Sequence, residues 1–280
     1  MDAASGGQPD PDALTRPFAF MKTYHRDVYP LIDAKRPTNS AKGKSVLITG
    51  ASRGIGKVLA VPCDMADVTS VETLFKRISV EIGTLHVLIC NVSFTTGHIS
   101  LAKKTSHDWL MEFEGNVRAA YLPIHSFLTA SPNPLGTVIA ISSGAAAVTF
   151  PGSSAYSMAK HATHRLVDFV HTEHPSVRAF SLALGIVMTD SVDAQFEPFA
   201  KDTPDLVGGV TVYLGTGKGE FLRGCWLSVN WDMEEVEEHR REIEQHRLLK
   251  TKLLVAHLGG PFLRILCNTE KRSSSTPASC

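Results

Sequence analysis

The sequence predicts one α/β domain built on a parallel, doubly wound sheet. Three observations carry this expectation. Short β-branched and apolar runs recur along the chain, helix-length amphipathic segments separate most of them, and the first run opens into a glycine-rich turn. A chain of 280 residues with 43% apolar composition can bury one substantial core.

Residues 1–16 are rich in Gly, Pro, Asp and Ala and cannot repay the entropy of ordering, so they are expected to be disordered. Residues 17–44 form a lead-in expected to lie across the domain surface. The first strand is expected at 45–49, where Ser-Val-Leu-Ile-Thr is bounded by Gly43 and Gly50. Further strands are expected at 60–63, 86–90, 137–141, 177–183 and 225–229. Helices are expected at 68–82, 106–130 and 154–171, and none is assigned between Ala183 and Cys225. A polar helix over 233–250 would be capped by Asp232, with Val236 and Ile243 on one face and a Glu237/Arg241 pair on the other. The expected organisation is an N-terminal extension over 1–44, a core domain over 45–231, a cover helix over 232–250 and a loose Ser/Thr/Pro-rich tail over 251–280.

Composition narrows the function classes. Twenty-eight basic and twenty-eight acidic residues balance, so no charge excess argues for nucleic acid or an anionic membrane as partner. Five scattered cysteines form no Cys-x-x-Cys pair and read as reduced thiols. No secretory signal pattern opens the chain, and the most apolar late stretch, 253–267, is too short and broken to span a bilayer, so cytoplasmic residence is the expectation. Four histidines, His161, His164, His171 and His174, lie on or just after the helix expected at 154–171. Their spacing to Glu173 misses the inverted zinc motif, and no metal is assigned.

After the first strand the chain reads Thr49-Gly50-Ala51-Ser52-Arg53-Gly54-Ile55-Gly56. Glycines permit a sharp turn into a helix and let backbone N–H groups approach a pyrophosphate, whose charge the helix N-terminus stabilises. Taken alone, the same residues could serve an ordinary strand-to-helix loop. A P-loop is excluded because Ile55 stands where its second glycine belongs.

Further on, Ser142 and Ser143 close a strand, and Tyr156 and Lys160 lie one turn apart on the same face of the next helix. An ammonium beside a phenol favours the phenolate, so the tyrosine pKa is expected to fall toward working pH, where general acid–base catalysis is most effective. A hydroxyl at Ser143 could hold a substrate oxygen.

This combination resembles the short-chain dehydrogenase/reductase family, with its Thr-Gly-x-x-x-Gly-x-Gly turn, a strand-end serine thirteen residues before a tyrosine, and Tyr-x-x-x-Lys. The resemblance implies a Rossmann-like fold and transfer of a hydride between a nicotinamide cofactor and an alcohol/carbonyl pair. It implies Tyr156 as proton donor or acceptor, Lys160 as its partner and ribose ligand, Ser143 as the residue orienting the carbonyl, and Asn116 as support for a proton relay. Cofactor contacts are implied at Gly50, Ser52, Arg53, Gly54, Ile55, Gly56, Asp64, Asn91, Tyr156, Lys160, Val187 and Thr189. Arg53 resembles members that bind the 2′-phosphate, which favours NADP over NAD. The segments around 25–30 and 221–231 look most like fungal members attached to secondary metabolism. A small-molecule carbonyl or alcohol is the implied partner. A homodimer or homotetramer joined through the Asn116 and tyrosine helices is also implied, although Trp109, Phe113 and Tyr121 would serve core packing equally well.

Two departures stand against that pattern. Only seven residues separate Gly56 from Asp64, where the family places the rest of a helix, the second strand and another helix. A crossover needs about 10 to 12 residues, so an internal deletion near 57–60 is expected, with the second strand and its flanking helices missing. The Asn-Asn-Ala-Gly signature is also altered, to Cys90-Asn91-Val92-Ser93. The expected function is therefore an NADP-dependent oxidoreductase, with a catalytically inactive Rossmann-like binding or interaction protein, or a defective gene model, as the alternative.

Overall fold

The computed structural model describes residues 10–51, 60–189 and 192–252. Five parallel strands, β1 (Val46–Ile48), β2 (Val87–Cys90), β3 (Gly136–Ser142), β4 (Val177–Ala183) and β5 (Trp226–Ser228), lie side by side in chain order. Helices α1 (Val68–Glu81), α2 (Ser106–Thr129) and α3 (Ser154–Glu173) separate the first four, and α4 (Pro204–Gly215) precedes β5. Strand and helix limits fall within a residue or two of those read from the sequence.

Alternation along the central strands explains why both faces are covered. Val87 and Ile89 of β2, Ile139 and Ile141 of β3, and Phe180 and Leu182 of β4 point to one cluster. Their neighbours Leu88, Cys90, Val138, Ala140, Val177 and Ala179 point to the other, where Ile124 and Phe127 of α2 and Val167 and Val170 of α3 close over them. On the first face the cover comes from α4, from the C-terminal helices and from the N-terminal extension. Ile32 is fully buried. It packs so closely on α4 that a Cβ at Gly209 would lie 2.8 Å from the Ile32 carbonyl oxygen.

Caps fix the helix starts. Asp67 accepts from Ser70 N at 2.7 Å to begin α1, and Thr105 accepts from Asp108 N at 3.0 Å to begin α2. The unassigned helix α4 begins at Thr203-Pro204, an N-cap whose hydroxyl accepts from Leu206 N, followed by proline at the first position. The single helix expected over 233–250 is instead α5 (Met233–Glu238) and α6 (Arg240–His246), broken at His239. Asp232 caps it as expected, and Val236 and Ile243 both enter the core. Glu237 accepts from the Tyr213 hydroxyl, and the helix's own ion pair joins Arg240 to Glu244 at 3.2 Å.

The strand expected at 60–63 does not form. Val61 and Cys63 lean on the cluster around Val71 and Leu74, without joining a ladder. A strand exists only by pairing, and no partner lies beside it: β2 takes one edge of β1, and among the described residues nothing pairs with the other.

Candidate active site

In an open parallel sheet, ligands bind where the carboxyl ends of the strands meet their loops. Asn91 and Ser143 follow β2 and β3 directly at that edge, and Gly50 and Gly185 stand two residues past β1 and β4. Gly50 has φ of +70°, the left-handed turn that glycine adopts without strain. Thr49 stitches β1 to the next loop, its hydroxyl accepting from Asn91 N at 3.0 Å and Val92 N at 3.4 Å. The turn residues Ser52, Arg53, Gly54, Ile55 and Gly56 lie outside the described residues.

Ser143 caps a short turn (Gly144–Ala146), accepting from Ala145 N at 3.1 Å, which leaves its own O–H free to donate. One helix on, Tyr156 and Lys160 occupy the first turns of α3. The hydroxyls of Ser93 and Ser143 both face the Tyr156 phenol. Lys160 is buried, with Nζ 5.6 Å from the centre of the tyrosine ring and donating to the Ile141 carbonyl at 3.0 Å.

The electrostatics differ from the expectation that lysine would lower the tyrosine. Burial pushes the Tyr156 phenol above its ordinary value, the two serine hydroxyls oppose that rise, and the Glu112 carboxylate adds to it. Burial also lowers Lys160 to about 8. Its ammonium is turned to a backbone carbonyl, so desolvation dominates both groups.

Asn116 is used as a clamp. Its Oδ1 accepts from Ser93 Oγ at 3.2 Å and Phe94 N at 3.3 Å, and its Nδ2 donates to the Phe94 and Glu112 carbonyls at 2.8 and 2.7 Å. Lys104 and Glu112 form a fully buried ion pair at 2.5 Å, and Glu112 also accepts from Thr96 N and Oγ1. These bonds outweigh burial and hold the Glu112 carboxyl below its ordinary value. The loop 93–97 is therefore fastened to α2 at four successive residues, Ser93, Phe94, Thr95 and Thr96.

A cavity of about 350 Å³ opens above Ser143 and Tyr156 and reaches Gly185 and Ile186 after β4. Val187 is half-buried and bridges Asp202; Thr189 is exposed, its carbonyl accepting from Val192 N. Asp64 sits in an exposed turn before α1, its carboxylate accepting from Ala66 N at 2.9 Å, and does not line the cavity. Ser143 and Tyr156 thus share the cavity with Lys160 beneath the ring, while Asp64 and Thr189 stand apart from it.

Several residues at the cavity carry no obvious sequence signal. His98 receives or donates a bond of 2.8 Å with Ser153 Oγ and packs edge-on to Phe196. Leu14, Thr15, Phe18 and Tyr24 bring the N-terminal extension into the wall. Arg26 locks that extension in place, donating at 2.9 Å to the buried Asp202, which also accepts from Ile186 N and Asn230 Nδ2. Arg26 and Asp202 are 176 positions apart in the chain, so only the fold joins them.

The family profile described as short chain dehydrogenase matches residues 56–198, just over half of the chain. Among curated proteins, the short chain dehydrogenase mpl6 of Monascus purpureus is 28% identical over 85% of this chain and 97% of its own length. The short chain dehydrogenase pigC of Monascus ruber is 25% identical over 83% and 93%. Among solved structures, gluconate 5-dehydrogenase from Burkholderia cenocepacia J2315, in complex with NADP and tartrate, superposes with a TM-score of 0.62 at 18% identity, covering 72% of this chain and 97% of that one. ElxO with NADP bound superposes at 0.55 and 21% identity, covering 59% and 74%. At these identities the structural likeness concerns the fold, a Rossmann fold with its parallel sheet.

Proposed function

Since the chain belongs to the short chain dehydrogenase family, we propose that it interconverts an alcohol and a ketone or aldehyde with NADP(H), using Tyr156 as the proton-transfer group. The observation that carries this reading is the shared cavity in which the Ser143 and Tyr156 hydroxyls meet. A carbonyl oxygen placed there accepts a bond from Ser143 and a proton from Tyr156, and the reverse transfer serves oxidation. With its phenol held above the ordinary value, Tyr156 is protonated at neutral pH and suited to act as the acid.

A nicotinamide cofactor fits the groups present. The Lys160 ammonium is buried, and the Ile141 carbonyl occupies one of its three donors, leaving two for ribose hydroxyls. Gly50 and the Thr49 stitch set the end of β1 against the Asn91–Val92 loop, the edge along which such a cofactor would lie. Asn91, Val187 and Thr189 are proposed contacts at the same edge. When bound, the cofactor supplies the hydride. Asn116 acts on the reaction by holding loop 93–97, and through it Ser93, against the phenol. Arg53 in the sequence, together with NADP in the solved gluconate 5-dehydrogenase, favours NADP. The likeness to Monascus relatives supports a secondary-metabolite intermediate as substrate.

A second reading, a binding protein without catalysis, is favoured by one observation: β1 is an edge strand among the described residues, and 60–63 form no strand beside it. A fluorescence titration with NADPH and NADH separates the two. The catalytic reading expects saturable micromolar binding that prefers NADPH. It also expects a Tyr156→Phe variant that binds equally well but turns over a panel of ketones at least about 100-fold more slowly. Folded protein that binds neither nucleotide would establish the second reading instead.

A further inference from the structure

One wall of the cavity carries aromatic rings that the N-terminal extension helps to assemble. Phe18 lies 5.6 Å from Trp226, centre to centre, and Trp226 lies 5.7 Å from Trp231. The Phe18 ring sits directly over the Ser143 turn, where a Cβ at Gly144 would come within 2.6 Å of it. Tyr24 pairs its backbone with Trp231, and the Arg26 guanidinium covers its ring at 5.0 Å.

Two polar atoms in this wall are unused. The Tyr24 hydroxyl and the Trp226 indole N–H are both buried and have no hydrogen-bond partner among the described residues, while both residues line the cavity. The neighbouring indole shows the ordinary outcome: Trp231 Nε1 donates to the Phe18 carbonyl at 2.6 Å. The Thr15 hydroxyl lies beside the phenol and opposes the effect of burial on it, while accepting from Arg26 and donating to the Asp12 carbonyl. Burial holds the Tyr24 phenol up at about 12, so it is a neutral O–H at working pH. Buried donors left unpaired are costly, and two of them on one cavity wall mark a place where a ligand acceptor belongs.

We propose that this cavity takes a planar aromatic ketone, or the corresponding alcohol, that carries a second oxygen remote from the reacting one, and that Tyr24 and Trp226 bind this second oxygen. The proposal rests on the reading that Ser143 and Tyr156 hold the reacting oxygen. Flat aromatic rings are the ligand surface that an aromatic wall receives best, and a cavity of about 350 Å³ is the size for two or three fused rings.

The test is calorimetric binding of 1-tetralone, whose ketone oxygen is its sole oxygen, and its 5-, 6- and 7-hydroxy derivatives to the full chain, with and without NADP⁺, which cannot reduce them. At least one hydroxy ketone is expected to bind tenfold or more tightly than 1-tetralone. Tyr24→Phe is expected to cut that preference below threefold while leaving 1-tetralone affinity within twofold. Trp226→Phe is expected to cut the preference as far, and to weaken 1-tetralone as well because the indole is part of the wall. Tyr24→Phe removes one hydroxyl and keeps the ring in the wall, so its fold is retained. Four ketones that bind alike, a preference that survives both variants, or no binding by any of the four would overturn the proposal. NADPH-dependent turnover of 1-tetralone without hydroxyl preference would leave the oxidoreductase reading standing and remove this one. Preferential binding without turnover would do the reverse.

Discussion

Lys160 is enclosed with a single carbonyl acceptor, and burial brings its pKa down from 10.5 to about 8. The unfolded chain holds that proton up to the ordinary value. Between the two values the unfolded state binds more protons than the folded one, so unfolding free energy rises with pH, by about 1.4 kcal/mol per unit. Below pH 8 both states are protonated and the dependence disappears. Above pH 10 the buried tyrosines reverse it, because Tyr24 and Tyr156 are raised in the folded state and the unfolded chain sheds its phenolic protons first. The stability difference between the wild-type chain and Lys160→Met should therefore shift in favour of wild type by about 2 kcal/mol from pH 8 to pH 10. Urea denaturation across that range measures it, and a constant difference would mean that the ammonium is solvated. The same burial explains why the Tyr156–Lys160 pairing was legible from spacing while its electrostatics were not. Sequence places the two on one helix face, but the Ile141 carbonyl that takes the ammonium belongs to β3, nineteen positions earlier.

At the scale of the element, α2 acts as a clamp whose inner face reads Glu112, Asn116, Ala119 and Ala120, all buried. Glu112 is the costliest of these because both it and Lys104 are fully enclosed. Glu112→Gln leaves an unpaired buried ammonium and should cost about 3 to 5 kcal/mol. The double variant Lys104→Gln/Glu112→Gln removes both charges and should recover more than half of that loss. Denaturant midpoints decide it: a single variant as mild as the double would show that the pair is hydrated. Neither residue was legible as a buried pair, since Lys and Glu eight apart around a helix start read as ordinary surface charge. The helices themselves were legible where an apolar stripe ran their length, as with Val71, Leu74 and Ile78 of α1. Helix α4 escaped because its Gly208-Gly209 pair argues against helix, and its close packing on Ile32 outweighs that local preference. The strand at 60–63 failed for the opposite reason. Its residues favour a strand, but pairing is a property of the sheet, and among the described residues none supplies it with a neighbour.

At the scale of the whole molecule, the sheet is graded from its interior to its edge. β3 and β4 are seven residues long, are paired on both sides and are almost wholly buried. β1 has three residues, pairs only with β2 among the described residues, and leaves Val46 and Ile48 39% and 38% exposed. Local opening costs least where few apolar contacts and few ladder bonds are lost, so the β1 amides should exchange with solvent at least about 100-fold faster than those of β3. Exchange followed by mass spectrometry tests this. Protection of β1 equal to that of β3 would show its outer edge to be covered, which would remove the ground for the binding-only reading. The cofactor reading adds a second expectation, because the turn after β1 belongs to the proposed cofactor site and opening β1 would dismantle it. A ligand that binds only the closed form stabilises it by about 2.7 kcal/mol at a concentration of 100 Kd. NADPH at that level should therefore slow β1 exchange by about 100-fold while leaving the already protected β3 and β4 amides less changed. Exchange at β1 that ignores NADPH would separate the nucleotide from the β1 turn, and with it the Gly50 edge from the site around Tyr156.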